Sequence, residues 1–164
     1  MVNSALILAA LLGAQPLSPT PLDWLHGTWT CRVSGAGESA VLRREVWAGD
    51  DWSGTHVLVE ERRAGSETLQ LASGRILADD GGYSLSYRMR GSGRGAPASY
   101  RSGQAGEREA AFVTEEAVEP QRIAYRRTAT TLVVTHARRD GSGARSWHMR
   151  LEGEAGGPRG CDGR

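Results

Sequence analysis

The chain contains no lysine: all 20 of its basic residues are arginine. Against 19 acidic residues this leaves a formal net charge of +1, so no long-range field draws in nucleic acid or anionic lipid. The pairs Arg43-Arg44, Arg62-Arg63, Arg126-Arg127 and Arg138-Arg139 are scattered, not blocked together. Exclusive use of arginine is the ordinary mark of a GC-rich genome rather than of a nucleic-acid interface. Histidine is scarce: His26, His56, His136 and His148 include no pair at zinc-motif spacing. Gly-x-Ser-x-Gly is absent, and the Gly-rich stretch Gly91 to Gly95 leads into Ala-Pro-Ala instead of a helix, so neither a hydrolase elbow nor a phosphate loop is indicated. The expectation is no metal, no cofactor and no catalytic constellation. Long apolar runs are missing too. The longest, Ala5 to Leu12, is too short to span a bilayer, so no transmembrane segment is expected.

That run sits in Met1 to Ala14, which carries no charged side chain and ends on Gly13-Ala14. It reads as a signal peptide cleaved after Ala14, and places the protein in the periplasm or outside the cell. A buried N-terminal helix is the alternative, since the run has no preceding Lys or Arg and Leu12 is large for its position. The stretch 15–22 is a Pro-rich linker, 23–152 the folded domain, and the Gly-rich stretch 153–164 a flexible tail. Only two cysteines are present, Cys31 and Cys161. In an oxidising compartment they would pair and tie the tail to the first strand. The other reading is two free thiols.

After Leu25 almost nothing has helical periodicity. Ten short runs alternate or are β-rich: Thr28 to Val33, Ala40 to Trp47, Thr55 to Arg62, Thr68 to Ile76, Tyr83 to Arg90, Ala98 to Arg101, Arg108 to Val113, Gln121 to Arg127, Thr131 to Arg138 and Ser146 to Leu151. Gly, Asp and Ser separate them, as antiparallel hairpins require. The fold expected is all-β: an antiparallel up-and-down barrel of about 8–10 strands behind a short N-terminal helical turn. A two-sheet sandwich is the runner-up. Arg43, Glu45 and Trp47 share one face, as do Gln121, Ile123 and Tyr125, which points to a partly polar lumen.

The opening Asp23-Trp24-Leu25-His26-Gly27-Thr28-Trp29 resembles the start of lipocalin-like barrels, and so names the type of barrel. That resemblance implies that Trp29 plugs one end, stacked on an arginine of the last strand, Arg150 or Arg145. A second resemblance covers about Asp23 to Glu152. Ala111 to Arg127, with Trp24-Leu25-x-Gly-x-Trp29 and Arg145-Ser146-Trp147-His148-Met149-Arg150, is similar to the signature of an uncharacterised bacterial calycin-like family, domain of unknown function 6265. The half Pro120-Gln121-Arg122-Ile123-x-Tyr125-x-Arg127 is intact. Where the family signature has His-Asp, this chain has Ala117-Val118, so any proton or metal chemistry on that pair is lost or altered here. The resemblance implies a calycin-like barrel, an exported setting and a small-molecule cavity, with no assigned activity.

Three functions follow. The first is a non-enzymatic binder of a small amphipathic or apolar (lipophilic) ligand, held by Arg122, Tyr125, Tyr87 and Gln121. The second is an envelope protein-interaction module. The third is a small-molecule enzyme built on Glu115, Glu116, Glu119 and Arg122, which requires one of those carboxylates to turn inward beside Arg122. His136 as a haem ligand is the weaker alternative to an ordinary half-exposed strand histidine. Oligomeric state cannot be read from these features.

Overall fold

A computed structural model of the protein describes residues 22–36, 40–50, 54–63, 68–79, 82–91, 96–102 and 105–162. The expected signal peptide and nearly all of the linker, residues 1–21, lie outside the described residues. A 3-10 turn at Asp23–Leu25 leads into ten strands. They are β1 Gly27–Ser34, β2 Val41–Asp50, β3 Gly54–Arg63, β4 Leu69–Asp79, β5 Gly82–Met89, β6 Ala98–Ser102, β7 Glu109–Val113, β8 Arg122–Arg127, β9 Thr131–Ala137 and β10 Arg145–Leu151. Each pairs antiparallel with its neighbours in sequence, and β1 pairs with β10 to close the barrel. Closure excludes the two-sheet sandwich.

The expected alternation is what sets the wall. Successive side chains of a strand point to opposite faces, so Tyr87, Leu85, Ile123, Tyr125, Trp147 and Met149 turn inward and are buried. The arginine pairs divide in the same way. Arg43 is buried in the lumen, whereas Arg44 lies outside with Glu60 at 2.9 Å and Glu152 at 3.3 Å.

One end is sealed. Trp29 is wholly buried and its Nε1 donates to the Leu25 carbonyl at 2.8 Å, so the 3-10 turn and the first strand lock together. Gly27 makes the corner between them: its φ is +123°, and a Cβ there would meet Leu151 Cδ1 at 2.7 Å. The cation over the Trp29 ring is Arg127, 5.1 Å from its centroid, and Arg127 Nη1 donates to the Trp24 carbonyl at 2.8 Å. This corrects the expectation of Arg150 or Arg145. Arg150 is on the outward parity of β10 and faces Glu154 at 3.7 Å, while Arg145 stacks at the other end of the barrel on Trp147. Leu22, assigned to the linker by sequence, is also buried in this plug and so belongs to the folded domain.

The tail requires a larger correction. Strands β1 and β10 are in register only at Trp29↔Leu151 and Thr30↔Arg150. Beyond that pair the strands part, and residues 159–161 fill the gap. Arg32 N donates to Arg159 O at 2.7 Å, Cys161 N to Arg32 O at 3.1 Å, and His148 N to Cys161 O at 2.8 Å. The Cys31–Cys161 disulfide fixes the insert. Residues 159–161 of what looked like a flexible tail are therefore a stave of the wall. Its Gly content misled the reading, because backbone bonds on both sides and a disulfide order a segment that has little side chain to bury.

Candidate functional site

The end opposite the Trp29 plug holds a cavity of about 710 Å³, within the range of small-molecule sites. Its walls are the inward positions of the strand ends there. Val59, Leu71, Ala72 and Met89 make one apolar side, and Tyr87, His136 and Trp147 an aromatic one. Gly74 shapes the inside of the wall nearby: a Cβ on it would sit 2.8 Å from Tyr87 Cδ2, so the bare backbone lets the tyrosine ring lie flat against the strand.

The floor is polar. Arg43 lies over Trp147, its guanidinium carbon 4.1 Å from the ring centroid, and its Nη2 reaches Glu45 Oε1 at 3.4 Å. Glu45 is 1 % exposed and lies one inward step deeper. Burial pushes its carboxyl pKa up, while the Arg43 charge pulls it part of the way down. Arg43 satisfies only part of its fork: its Nε is buried with no protein partner. The neighbouring His136 Nε2 is in the same condition. The His136 ring packs edge-on to Trp147, with centroids 4.8 Å apart. Burial, then Arg43 and Arg145, lower its pKa to about 3, so the imidazole is neutral at physiological pH. Its side chain keeps intermediate exposure, as the sequence suggested, but it lines the cavity. Parity places it inside, opposite Ile123 on β8 and Arg145 on β10.

The connection between β7 and β8 is pinned at the rim. Tyr100 donates its hydroxyl to Pro120 O at 2.6 Å, and burial raises that phenol to about 12. Glu116 Oε1 accepts from Ser99 N at 2.8 Å, and Arg139 Nη1 meets Glu115 Oε2 at 2.6 Å. All three glutamates of this connection face solvent. Glu115 is 87 % and Glu119 76 % exposed by side chain, and Glu116 is exposed as well. None stands beside Arg122, which removes the condition on which an enzyme built from them depended.

No protein-family model, curated protein or solved structure matches the chain. The arrangement is therefore read from its own chemistry. Of the four residues expected to contact a ligand, Tyr87 lines the cavity. Tyr125 is inward but lies below the floor, edge-on to Trp47 at 5.0 Å and to Phe112 at 6.3 Å. Arg122 points outward and lines a groove on the exterior of β7–β10. Gln121 precedes β8 and accepts at Oε1 from Arg139 N at 3.3 Å, which orders the rim. The residues missed were Arg43, His136 and Trp147. Arg43 had been placed on one face with Glu45 and Trp47, and a buried charge on an inward face is itself a site signal. Among the described residues, no three His, Cys, Asp or Glu come together as metal ligands, and no helix is long and apolar enough to cross a membrane.

Proposed function

We propose that this protein binds a small amphipathic molecule in the open end of its barrel, without chemical turnover. The observation that carries the reading is the cavity of about 710 Å³ whose walls are apolar and aromatic and whose floor is the Arg43–Trp147 stack. An apolar body gains by leaving water against Val59, Leu71, Ala72 and Met89, and a polar group finds donors below. The same reading places the protein in the calycin-like family its signature resembles, and in an extracytoplasmic compartment. The leader-like residues 1–14 support that compartment, and so does the Cys31–Cys161 bond, since structural disulfides persist where the environment is oxidising.

The test is displacement of an environment-sensitive lipophilic fluorophore by a lipid extract of the host. Saturable binding displaced by the extract is the expected result. Absence of displaceable binding by the intact, oxidised protein would sink the proposal. Native mass spectrometry of the protein recovered from its host reports the compartment, through loss of residues 1–14, and the mass of any retained molecule. An uncleaved chain recovered from the cytosol would overturn the assignment to the cell envelope.

A further inference from the structure

The wall of the cavity carries four arginines, Arg43, Arg90, Arg138 and Arg145, against one carboxylate, Glu119. Glu119 is taken up by Arg138 at 3.5 Å, out in solvent. Below the floor, Glu45 is the partner of Arg43. Among the described residues this leaves Arg90 and Arg145 with no acid, on a cavity whose neutral His136 adds no charge of its own. The excess positive charge thus lies at the exposed mouth, on Arg90 and Arg145, although the chain as a whole is close to neutral.

Geometry says where a counter-charge would sit. Arg43 and Arg145 lie over the same Trp147 ring, at 4.1 and 5.1 Å from its centroid, and His136 packs edge-on to that ring. Arg43 is 9 % exposed, lines the cavity, and has its Nε–H without a protein acceptor; His136 Nε2 likewise has none. Both residues line the cavity, and each keeps one buried nitrogen without a protein partner, a standing cost that a polar group settling beside the Arg43 guanidinium and the His136 ring would lower. A guanidinium offers an oxyanion charge-assisted hydrogen bonds, which are about twice as strong as neutral ones. A cationic ligand would meet the same arginines as like charges.

Resting on the reading above, we propose that the ligand is an anion: a molecule with a carboxylate or similar oxyanion head seated on Arg43 and His136 beside Arg145, and an apolar body running up to Val59, Leu71 and Met89 at the mouth. The selectivity is for head charge, and Arg43 is its principal determinant.

The experiment compares three probes of equal chain length on the oxidised full chain: dodecanoate, dodecanol and dodecyltrimethylammonium, each by displacement of a bound fluorophore. Dodecanoate should bind about tenfold or more tighter than dodecanol, the order expected for a charge-assisted hydrogen bond. The cation should bind worst. Arg43→Gln should abolish the preference, and Arg145→Gln, at an exposed position, should reduce it while leaving the fold intact. Where Arg43→Gln fails to fold, the Arg43 Nε–H resonance of the unaltered protein takes its place. It should move on adding dodecanoate and stay still on adding dodecanol. Equal binding of all three, a preference for the cation, or an Arg43 resonance indifferent to dodecanoate would overturn the anion assignment while leaving the binder reading intact. Failure of all three probes and of the lipid extract would overturn both.

Discussion

Breaking the Cys31–Cys161 bond is the sharpest perturbation this structure offers. The two cysteines are 130 residues apart, so the link constrains nearly the whole unfolded chain. With the loop-entropy relation, closing a loop of that length removes about 17 cal/mol/K, or about 5 kcal/mol at 25 °C. The unfolding entropy of a domain of roughly 140 residues is about 0.3 kcal/mol/K near its midpoint, so the loss should lower Tm by roughly 15 °C. The tail adds a local signature. Residues 159–161 are held by Arg32 N–Arg159 O, Cys161 N–Arg32 O and His148 N–Cys161 O. These bonds outlast reduction only if the insert is stable in the seam by itself. Thermal unfolding followed by circular dichroism, oxidised against reduced and against a Cys31→Ser/Cys161→Ser variant, gives the first number. Tryptic cleavage after Arg159 gives the second, and it should accelerate on reduction at temperatures where the barrel remains folded. If reduction shifts Tm by less than about 3 °C, well below the entropic expectation, and leaves cleavage unchanged, the tail is not a stave and the argument fails.

Other predictions are more local. Trp29→Ala should cost about 3–5 kcal/mol, as for other buried aromatic truncations. Arg127→Met should cost about 1–2 kcal/mol through the lost stacking and the lost bond to the Trp24 carbonyl. Denaturant titration measures both, and neither should change fluorophore affinity at the opposite end. Glu45→Gln should flatten the dependence of stability on pH. Burial raises the carboxyl pKa in the folded protein, so its contribution is complete below about 4.5, the unfolded value, and is lost as pH rises through the folded value. Between pH 5 and 8 the unaltered protein should lose Tm relative to Glu45→Gln; parallel curves would refute the assignment. Ligand binding should change intrinsic fluorescence, and Trp147→Phe should remove most of that change, because Trp147 is the tryptophan lining the cavity among the described residues.

The ten strands were legible because nearly all have a boundary in Gly, Asp or Ser, β8 between Pro120 and Thr128 being the exception, and an inward face at every second residue. Tyr83 to Arg90 and Ser146 to Leu151 show this most plainly. The same parity rule could have found Arg127: if Tyr125 points inward, so does the residue two further on, and Arg127 becomes the cation for Trp29. It also argued against Arg122, which sits between Ile123 and Gln121 on the opposite face. Assigning Arg122 to a ligand followed a motif and set aside the pleat. The open cavity was less legible, because Arg43, His136 and Trp147 come from β2, β9 and β10, and only closure brings them together. Ion pairing could not be seen either, since Arg44 meets Glu152 across the seam, 108 residues away. The Gly-rich tail read as mobile because composition reports the entropy a segment must lose and is blind to the backbone partners waiting for it.

The short register between β1 and β10 has a kinetic consequence. Every other pairing in the barrel joins strands adjacent in sequence, so β1 to β10 can zip up hairpin by hairpin with small loops to close. The cost of bringing distant parts of the chain together falls on one seam, where two residue pairs and a three-residue insert must meet. The insert follows all ten strands in the chain, so a chain released N-terminus first can assemble most of its sheet yet not finish its wall until residues 159–161 arrive. Until then β1 and β10 are exposed edges, and a stalled or truncated chain would offer them to a second copy.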